Sequence, residues 1–254
     1  MSKPFSTIPN NVPAIDVQDL SIRYESTEVL SHITFQIYPG EITAIIGPNG
    51  SGKTTLLRAM LGLIPSTGMV LFQGQPLAKM RAQIGYLPQR FQFDRNFPIT
   101  VAEYFSLTSQ KKLSQKMILD KMAEVGLPHS LLAEQLGSLS GGELQRSLMV
   151  HATLHNPSIL ILDEPSTGID IVGEQQFYEL IQAQRTNHKT TILLVSHDIA
   201  VVSQVVDKVV CINKKMICFG PPKIALTEEK LSELYGEKEG HGKGTLFFHH
   251  RHHS

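Results

Sequence analysis

The stretch Gly47-Pro-Asn-Gly-Ser-Gly-Lys-Thr54 leaves this chain few ways to fold. It reads G-x-x-x-x-G-K-T, a spacing that works only with a strand before it and a helix after it. Glu41–Ile46 is a short apolar run bounded by Gly40 and Gly47, and it reads as a buried strand. From Thr55 to Leu63 the apolar residues Leu56, Leu57, Met60, Leu61 and Leu63 fall at helical spacing. Gly47, Gly50 and Gly52 let the backbone curl until its N–H groups converge on an anion, and Pro48, Asn49 and Ser51 complete the loop. The helix start at Gly52–Lys53 adds its dipole. Lys53 supplies a point charge for the β and γ phosphates of a nucleotide, the Thr54 hydroxyl suits Mg²⁺, and Thr55 follows as a further phosphate contact.

The 254 residues suffice for one large domain or a core with an inserted subdomain, and 41% hydrophobic content supports a buried core. Lys+Arg and Asp+Glu both number 23, so no net field points to nucleic acid. Two cysteines and no cysteine framework fit a reducing compartment. No apolar run approaches the ~20 residues of a membrane helix, and the N-terminus lacks a secretory h-region. The expectation is a soluble cytoplasmic protein that can dock on a membrane partner.

Residues 1–13 read as a disordered Pro/Asn-rich leader. Ile15, Val17, Leu20, Ile22 and Tyr24 roughly alternate with polar residues, a strand with a slip near Asp19. Val29–Ile37, Gly68–Phe72 and Ile84–Leu87 read as further strands. From Thr100 to about His155 the spacing turns helical: Val101, Tyr104, Phe105, then Met117, Ile118, Met122, Val125, then Leu131 and Leu132. Ser158–Leu162 and Thr190–Val195 are buried strands around a helix over Gly173–Arg185, the β-α-β pattern of a parallel sheet. The division expected is a core of residues 14–88 and 156–238, a helical subdomain of 89–155, and a His-rich tail of 239–254. The fold class is α/β with an N-terminal antiparallel β region.

Further residues carry chemistry. Ser140 and Glu143 form a capping box around Gly141 and Gly142, whose bare N–H groups at a helix start suit another phosphate. The strand Ser158–Leu162 delivers Asp163 and Glu164 at its carboxyl end. There an aspartate suits the Mg²⁺ shell and a glutamate can orient and deprotonate water. Thr190–Val195 ends in Ser196-His197-Asp198, which puts His197 within reach of a γ-phosphate. Gln89, after Ile84–Pro88, can contact Mg²⁺ or water.

Phosphate loop, Gln89, helical insert, Leu139–Glu143, Leu162–Pro165 and Ser196–Asp198 follow one another in an order that closely resembles the ATP-binding-cassette (ABC) ATPases, over residues 15 to 235. The resemblance implies a P-loop fold, ATP and Mg²⁺ as substrate and cofactor, and hydrolysis coupled to transport. It implies that Tyr24 stacks on adenine and that Gln89 links ATP to a membrane subunit. Ser140–Glu143 matches the signature motif that touches the partner's γ-phosphate; Glu143 stands where the family commonly has Gln. Ser166–Asp170 matches the loop that pairs across the dimer, and His197 the switch histidine. The partners implied are a second copy, head to tail, and integral-membrane permease subunits, with a periplasmic or surface metal-binding protein acting indirectly. The location implied is the cytoplasmic face of the membrane.

The short span from Gln89 to Ser140 excludes a long coiled coil, and the chain has one cassette and no fused membrane helices. What remains is a separate subunit of a transporter. The segment Arg90–Val101 resembles the zinc and manganese importer ATPases, and the hairpin Val209–Gly220 resembles that of the zinc importers. The cargo implied is zinc first and manganese second, against another cargo such as an iron–siderophore complex or a vitamin, or a non-transport ATPase regulator. The tail histidines His249, His250, His252 and His253 are candidate Zn²⁺ ligands, against a solvated tail without function. Phe91, Phe93, Phe97 and Ile99 read either as a permease-docking patch or as packing for the helical subdomain. If Lys214-Lys215 is a two-residue turn, Cys211 faces Cys218, and a reducing compartment makes two buried thiols the expected state.

Overall fold

The computed structural model describes residues 12–236, except Ser26, Arg90, Gln92, residues 110–112 and 167–170, and the side chains of Ile171, Val172, Ala200 and Val201. The leader residues 1–11, residues 167–170 of the loop expected to pair across a dimer, and the whole His-rich tail lie outside that set.

The chain opens with β1 (Ile15–Tyr24) and β2 (Thr27–Ile37), then β3 (Ile42–Ile46) and α1 (Lys53–Met60). β4 (Thr67–Phe72), the two-residue β5 (Gln75–Pro76), α2 (Leu77–Met80) and β6 (Ile84–Leu87) follow. Three helices come next: α3 (Val101–Thr108), α4 (Gln115–Glu124) and α5 (Gly141–Thr153). Then come β7 (Ile159–Asp163), α6 (Ile171–His188), β8 (Thr191–Val195) and α7 (Ile199–Val205). The described chain closes with β9 (Lys208–Asn213), β10 (Lys215–Gly220), α8 (Pro222–Ala225) and α9 (Glu228–Tyr235). No helix among the described residues is long and apolar enough to cross a membrane.

Two sheets form. One is antiparallel with order β2-β1-β4-β5. The slip near Asp19 is real: the β1–β2 register shifts between Val17 and Leu20, and Asp19 adopts a left-handed φ of 50°. The other sheet has order β10-β9-β3-β8-β7-β6, with β9, β3, β8, β7 and β6 parallel and β10 antiparallel at the edge.

The parallel strands are short and apolar on both sides because both sides are covered. On β7, Ile159 and Ile161 pack with Leu56 and Leu57 of α1 and with the antiparallel sheet. Leu160 and Leu162 point the other way, into a cluster with Tyr104, Phe105, Met122, Leu148, Phe177 and Ile181. Lys121 ties α4 to α6: it pairs with Glu124 at 2.7 Å, and Glu124 also meets His188 at 3.1 Å.

Two details depart from the sequence expectations, the end of α1 and the β9–β10 turn, and one bears on an alternative left open there, the placing of Phe91, Phe93, Phe97 and Ile99. Helix α1 begins at Lys53 and stops at Met60, so Leu63 lies beyond it and is 61% exposed. Phe91 and Phe93 are partly buried packing residues, their tilted rings 5.2 Å apart, with Phe91 edge-on to Tyr104 at 5.3 Å. Ile99 packs against the same core, and of that set Phe97 alone is strongly exposed, at 59%. Finally, the β9–β10 turn has one residue, Lys214, with φ 60°, and Lys215 already pairs with Asn213. A register shift between Met216 and Cys218 restores the expected opposition of Cys218 and Cys211. The two are joined as a disulfide with Cα atoms 4.8 Å apart, in place of the two free thiols expected from compartment alone.

Because both faces of β7 are packed, Leu160→Ala and Ile161→Ala should each destabilise the chain by about 2–5 kcal/mol. Urea unfolding reads this directly. A cost well under 1 kcal/mol for either would mean that its face of the strand is not packed.

Candidate nucleotide site

The site lies at the carboxyl ends of neighbouring parallel strands, because β3 is followed in the chain by β6 at the far edge, and β7 and β8 then return toward it. The phosphate loop leaves β3, Asp163 ends β7, Ser196 follows β8, and Gln89 follows β6. Chain segments more than a hundred residues apart are thereby set side by side.

Within the loop, Gly47 has φ 156°, and a Cβ there would run into the carbonyl oxygen of Ile212. Gly52, with φ 103°, is the N-cap of α1, and a Cβ there would lie 2.6 Å from Leu30 Cδ2. Both positions therefore need glycine on two counts, backbone conformation and space. Lys53 is 5% exposed, and its Nζ donates to the carbonyls of Gly47 at 2.9 Å and Pro48 at 3.0 Å. Burial lowers the pKa of that ammonium, while Glu164 and Asp163 push the other way. The Ser51 hydroxyl is buried without a hydrogen-bond partner among the described residues. A buried cation held on loop carbonyls, an unsatisfied hydroxyl and a helix start with no acid in its first turn all fit an anion placed in this loop.

The acidic side of the site is bonded to the loop. Thr54 Oγ1 donates to Asp163 Oδ1 at 3.0 Å. Burial raises the Asp163 carboxyl to about 6, against the lowering bond from Thr54; the Glu164 charge raises it further, while Arg58 and Lys53 lower it. Glu164 sits at the turn after β7 with a left-handed φ of 46°, its N–H bonded to the Val195 carbonyl at 3.1 Å. Its Oε2 accepts from Gln89 Nε2 at 2.7 Å. Where the sequence suggests Mg²⁺ or water beside Gln89, the structure gives it this carboxylate.

The remaining candidates are placed as follows. Ser140 caps α5: its Oγ accepts from the Glu143 N–H at 3.3 Å, and Glu143 Oε2 accepts from the Ser140 N–H at 2.9 Å and from Ser140 Oγ at 2.6 Å. These bonds hold the Glu143 carboxyl below its usual pKa. Gly141 and Gly142 form the first turn of the same helix. Asn49 and Gly50 are exposed, Pro48 and Thr55 half-buried. Tyr24 ends β1 and is 49% exposed. His197 is exposed beyond β8, on a turn shaped by Ser196, whose Oγ accepts from the Asp198 N–H at 3.1 Å. Ser166 donates to Glu174 at 2.7 Å. His249, His250, His252 and His253 lie outside the described residues, and no group of three or more metal-ligating side chains occurs within them.

Sequence reasoning missed the hairpin that supports the loop. Besides Ile212 against Gly47, the Lys214 N–H donates to the Ser51 carbonyl at 3.2 Å. It missed Arg58 as well, whose charge reaches Asp163 from α1. Neither contact leaves a local pattern, since each joins segments far apart in sequence.

The ABC transporter family model matches residues 30–167 of this chain. The chain belongs to the ABC transporter family. It is 35% identical to a zinc import ATP-binding protein ZnuC of Pasteurella multocida over 241 residues, 95% of this chain and 88% of that protein. It is 38% identical to the protein of the same name from Cereibacter sphaeroides over 222 residues, 87% of this chain and 88% of that one. Among solved structures it resembles cbiO1 of Clostridium perfringens, part of the ABC transporter complex cbiONQ, with TM-score 0.75 and 27% identity, covering 88% of this chain and 94% of that one. This chain is the family's ATPase component, with a mixed α/β fold.

The raised Asp163 carboxyl has a consequence for stability. It keeps its proton to higher pH folded than unfolded, so stability should fall as pH rises from about 4 to about 6. Asp163→Asn removes that penalty and leaves Thr54 an acceptor. The nucleotide-free variant should therefore be more stable at pH 7 by about 1 kcal/mol, with a flatter profile between pH 4 and 6. Urea unfolding at both pH values checks this; a destabilised variant at pH 7 would contradict it.

Proposed function

We propose that this chain hydrolyses ATP to drive zinc import through an ABC transporter. The observation that carries the ATPase part is the pair of bonds Thr54–Asp163 and Gln89–Glu164, which set two acids beside a phosphate loop. The zinc part rests on similarity to zinc import ATP-binding proteins over most of the chain.

In this reading Lys53, the loop N–H groups and the start of α1 hold the phosphates of ATP, and Tyr24 stacks on its base. Thr54 and Asp163, with Gln89 near them, are the donors that suit Mg²⁺, which when bound draws charge from phosphate oxygens. Glu164 takes the proton of the attacking water, and Gln89 holds that carboxylate in line through its amide. His197 contacts the γ-phosphate from β8. Ser140, Gly141, Gly142 and Glu143 serve the nucleotide of a second copy packed head to tail, so each site is completed by its partner. Residues 89–155 act as one unit, and Gln89 with the exposed Phe97 faces the permease on the cytoplasmic side of the membrane. The tail histidines bind Zn²⁺ and tune transport to cytoplasmic metal.

Glu164→Gln should keep nucleotide binding while hydrolysis falls by ~10²–10⁴-fold, the usual contribution of a positioned base. Steady-state ATPase assays beside nucleotide-binding titrations test this, and near-normal turnover removes Glu164 from the role.

The cargo is tested by metal uptake. Cells lacking this chain should lose high-affinity zinc uptake and regain it with the full chain. A chain ending at Glu239 should restore uptake but not its response to external zinc, and should bind less Zn²⁺ by calorimetry. Unchanged zinc uptake without the chain would turn the reading to another metal.

A further inference from the structure

Three consecutive residues at the β9–β10 turn join the phosphate loop to two other parts of the molecule. The Ile212 carbonyl oxygen occupies the space where a side chain on Gly47 would lie. Lys214 donates its N–H to the Ser51 carbonyl at 3.2 Å and accepts from the Ser31 N–H of β2 at 2.9 Å. Between them, Asn213 Nδ2 donates to the Leu234 carbonyl of α9 at 3.1 Å.

The two loop contacts belong to the two peptide planes that flank the Asn213 Cα. The Ile212 carbonyl shares a plane with the Asn213 N–H, and the Lys214 N–H shares one with the Asn213 carbonyl. The backbone angles of Asn213 therefore set how the two contacts are aimed relative to each other. The turn does not hold those angles unaided, since Lys214 occupies a left-handed conformation, φ 60°, that a lysine rarely adopts.

What holds them is the end of α9. The Leu234 carbonyl lies in the last turn of that helix, where carbonyls lack a partner within the helix, and the Asn213 amide supplies the donor. Two further contacts seat the same helix end. The Leu234 side chain is fully buried in the cluster that contains Ile217 and Cys218 of β10, and Glu233 pairs with Lys215 at 3.6 Å. A helix at the end of the described chain is thus fastened to the residue from which both loop contacts are hung.

We propose that Asn213 is a positioning residue for nucleotide binding, which makes the shape of the phosphate loop depend on the docking of α9. Without its amide the two peptide planes swing about the Asn213 Cα. The Ile212 carbonyl then leaves Gly47, the Lys214 N–H leaves Ser51, and the loop N–H groups lose their convergence. The ATP readouts below rest on the nucleotide reading above; the exchange readout does not.

The test uses the full chain with Asn213→Asp, which keeps the side-chain size but sets an acceptor against the Leu234 carbonyl, and with Asn213→Ala. Leu234→Ala loosens α9 by a separate route and is combined with each. Hydrogen exchange of residues 47–54, affinity for a fluorescent ATP analogue, and KM and kcat for ATP are measured. Either Asn213 variant should quicken exchange of the loop, weaken analogue binding and raise KM by about fivefold, the scale that one hydrogen bond can transmit. The kcat should stay within about twofold, because the bond shapes binding and not the chemical step. Adding Leu234→Ala should change the loop little further, since both substitutions break one connection. Met122→Ala, a core truncation on α4, should lower stability without altering loop exchange or affinity. Unchanged loop exchange in Asn213→Asp overturns the proposal. So do effects that simply add to those of Leu234→Ala, or an equal effect of Met122→Ala. If the unaltered chain binds no ATP analogue, the nucleotide reading fails, while loop exchange still decides the role of Asn213.

Discussion

A lysine ammonium almost shut off from water is the constraint around which the rest is arranged. Among the described residues Lys53 hydrogen-bonds to backbone carbonyls of its own loop and has two carboxylates nearby, so burial and charge act on it in opposite senses. A buried cation is costly unless its surroundings are polar and fixed. The surroundings here are fixed by position: the loop leaves a strand buried on both faces and enters a helix packed against the same sheet. Rigidity of this kind lets a backbone present converging N–H groups without rearranging when charge arrives.

The acidic half of the site follows from sheet order. β7 and β8 return toward β3, and Asp163 reaches Thr54 across a sequence separation of 109 residues. Burial then does to Asp163 what it does to Lys53, disfavouring its charge and raising its carboxyl to about 6. Both groups are held in states that the arrival of phosphate and a divalent cation would relieve. Local stability is given up at these positions for chemistry, a pattern common at functional centres.

Much of this was legible in residue order. The G-x-x-x-x-G-K-T spacing, the Ser140–Glu143 box and the Asp163-Glu164 strand end are local patterns, and each forms the local structure it encodes. The capping box forms because its bonds span three residues. The β1 slip at Asp19 was visible because alternation along a strand reports which face each residue takes. The reading was weaker where local pattern allows two packings. Phe91 and Phe93 look the same in sequence whether they pack on each other, with Phe91 edge-on to Tyr104, or await a partner, and only the neighbouring helices decide. The single-residue turn at Lys214 was likewise hidden, since a later irregularity restores the same cysteine opposition.

By itself, then, the sequence determined the phosphate loop, the order of the chemical residues and the double-sided burial of the parallel strands, because each is set by contacts within a few residues or by strand and helix periodicity. Tertiary structure decided which of those residues meet. The Gln89–Glu164 bond, the Ile212 carbonyl against Gly47 and the disulfide beside the loop all depend on how strands are ordered and registered across the sheet. Strand order is fixed by burying apolar faces collectively, a sum over the whole core that no single stretch of sequence contains.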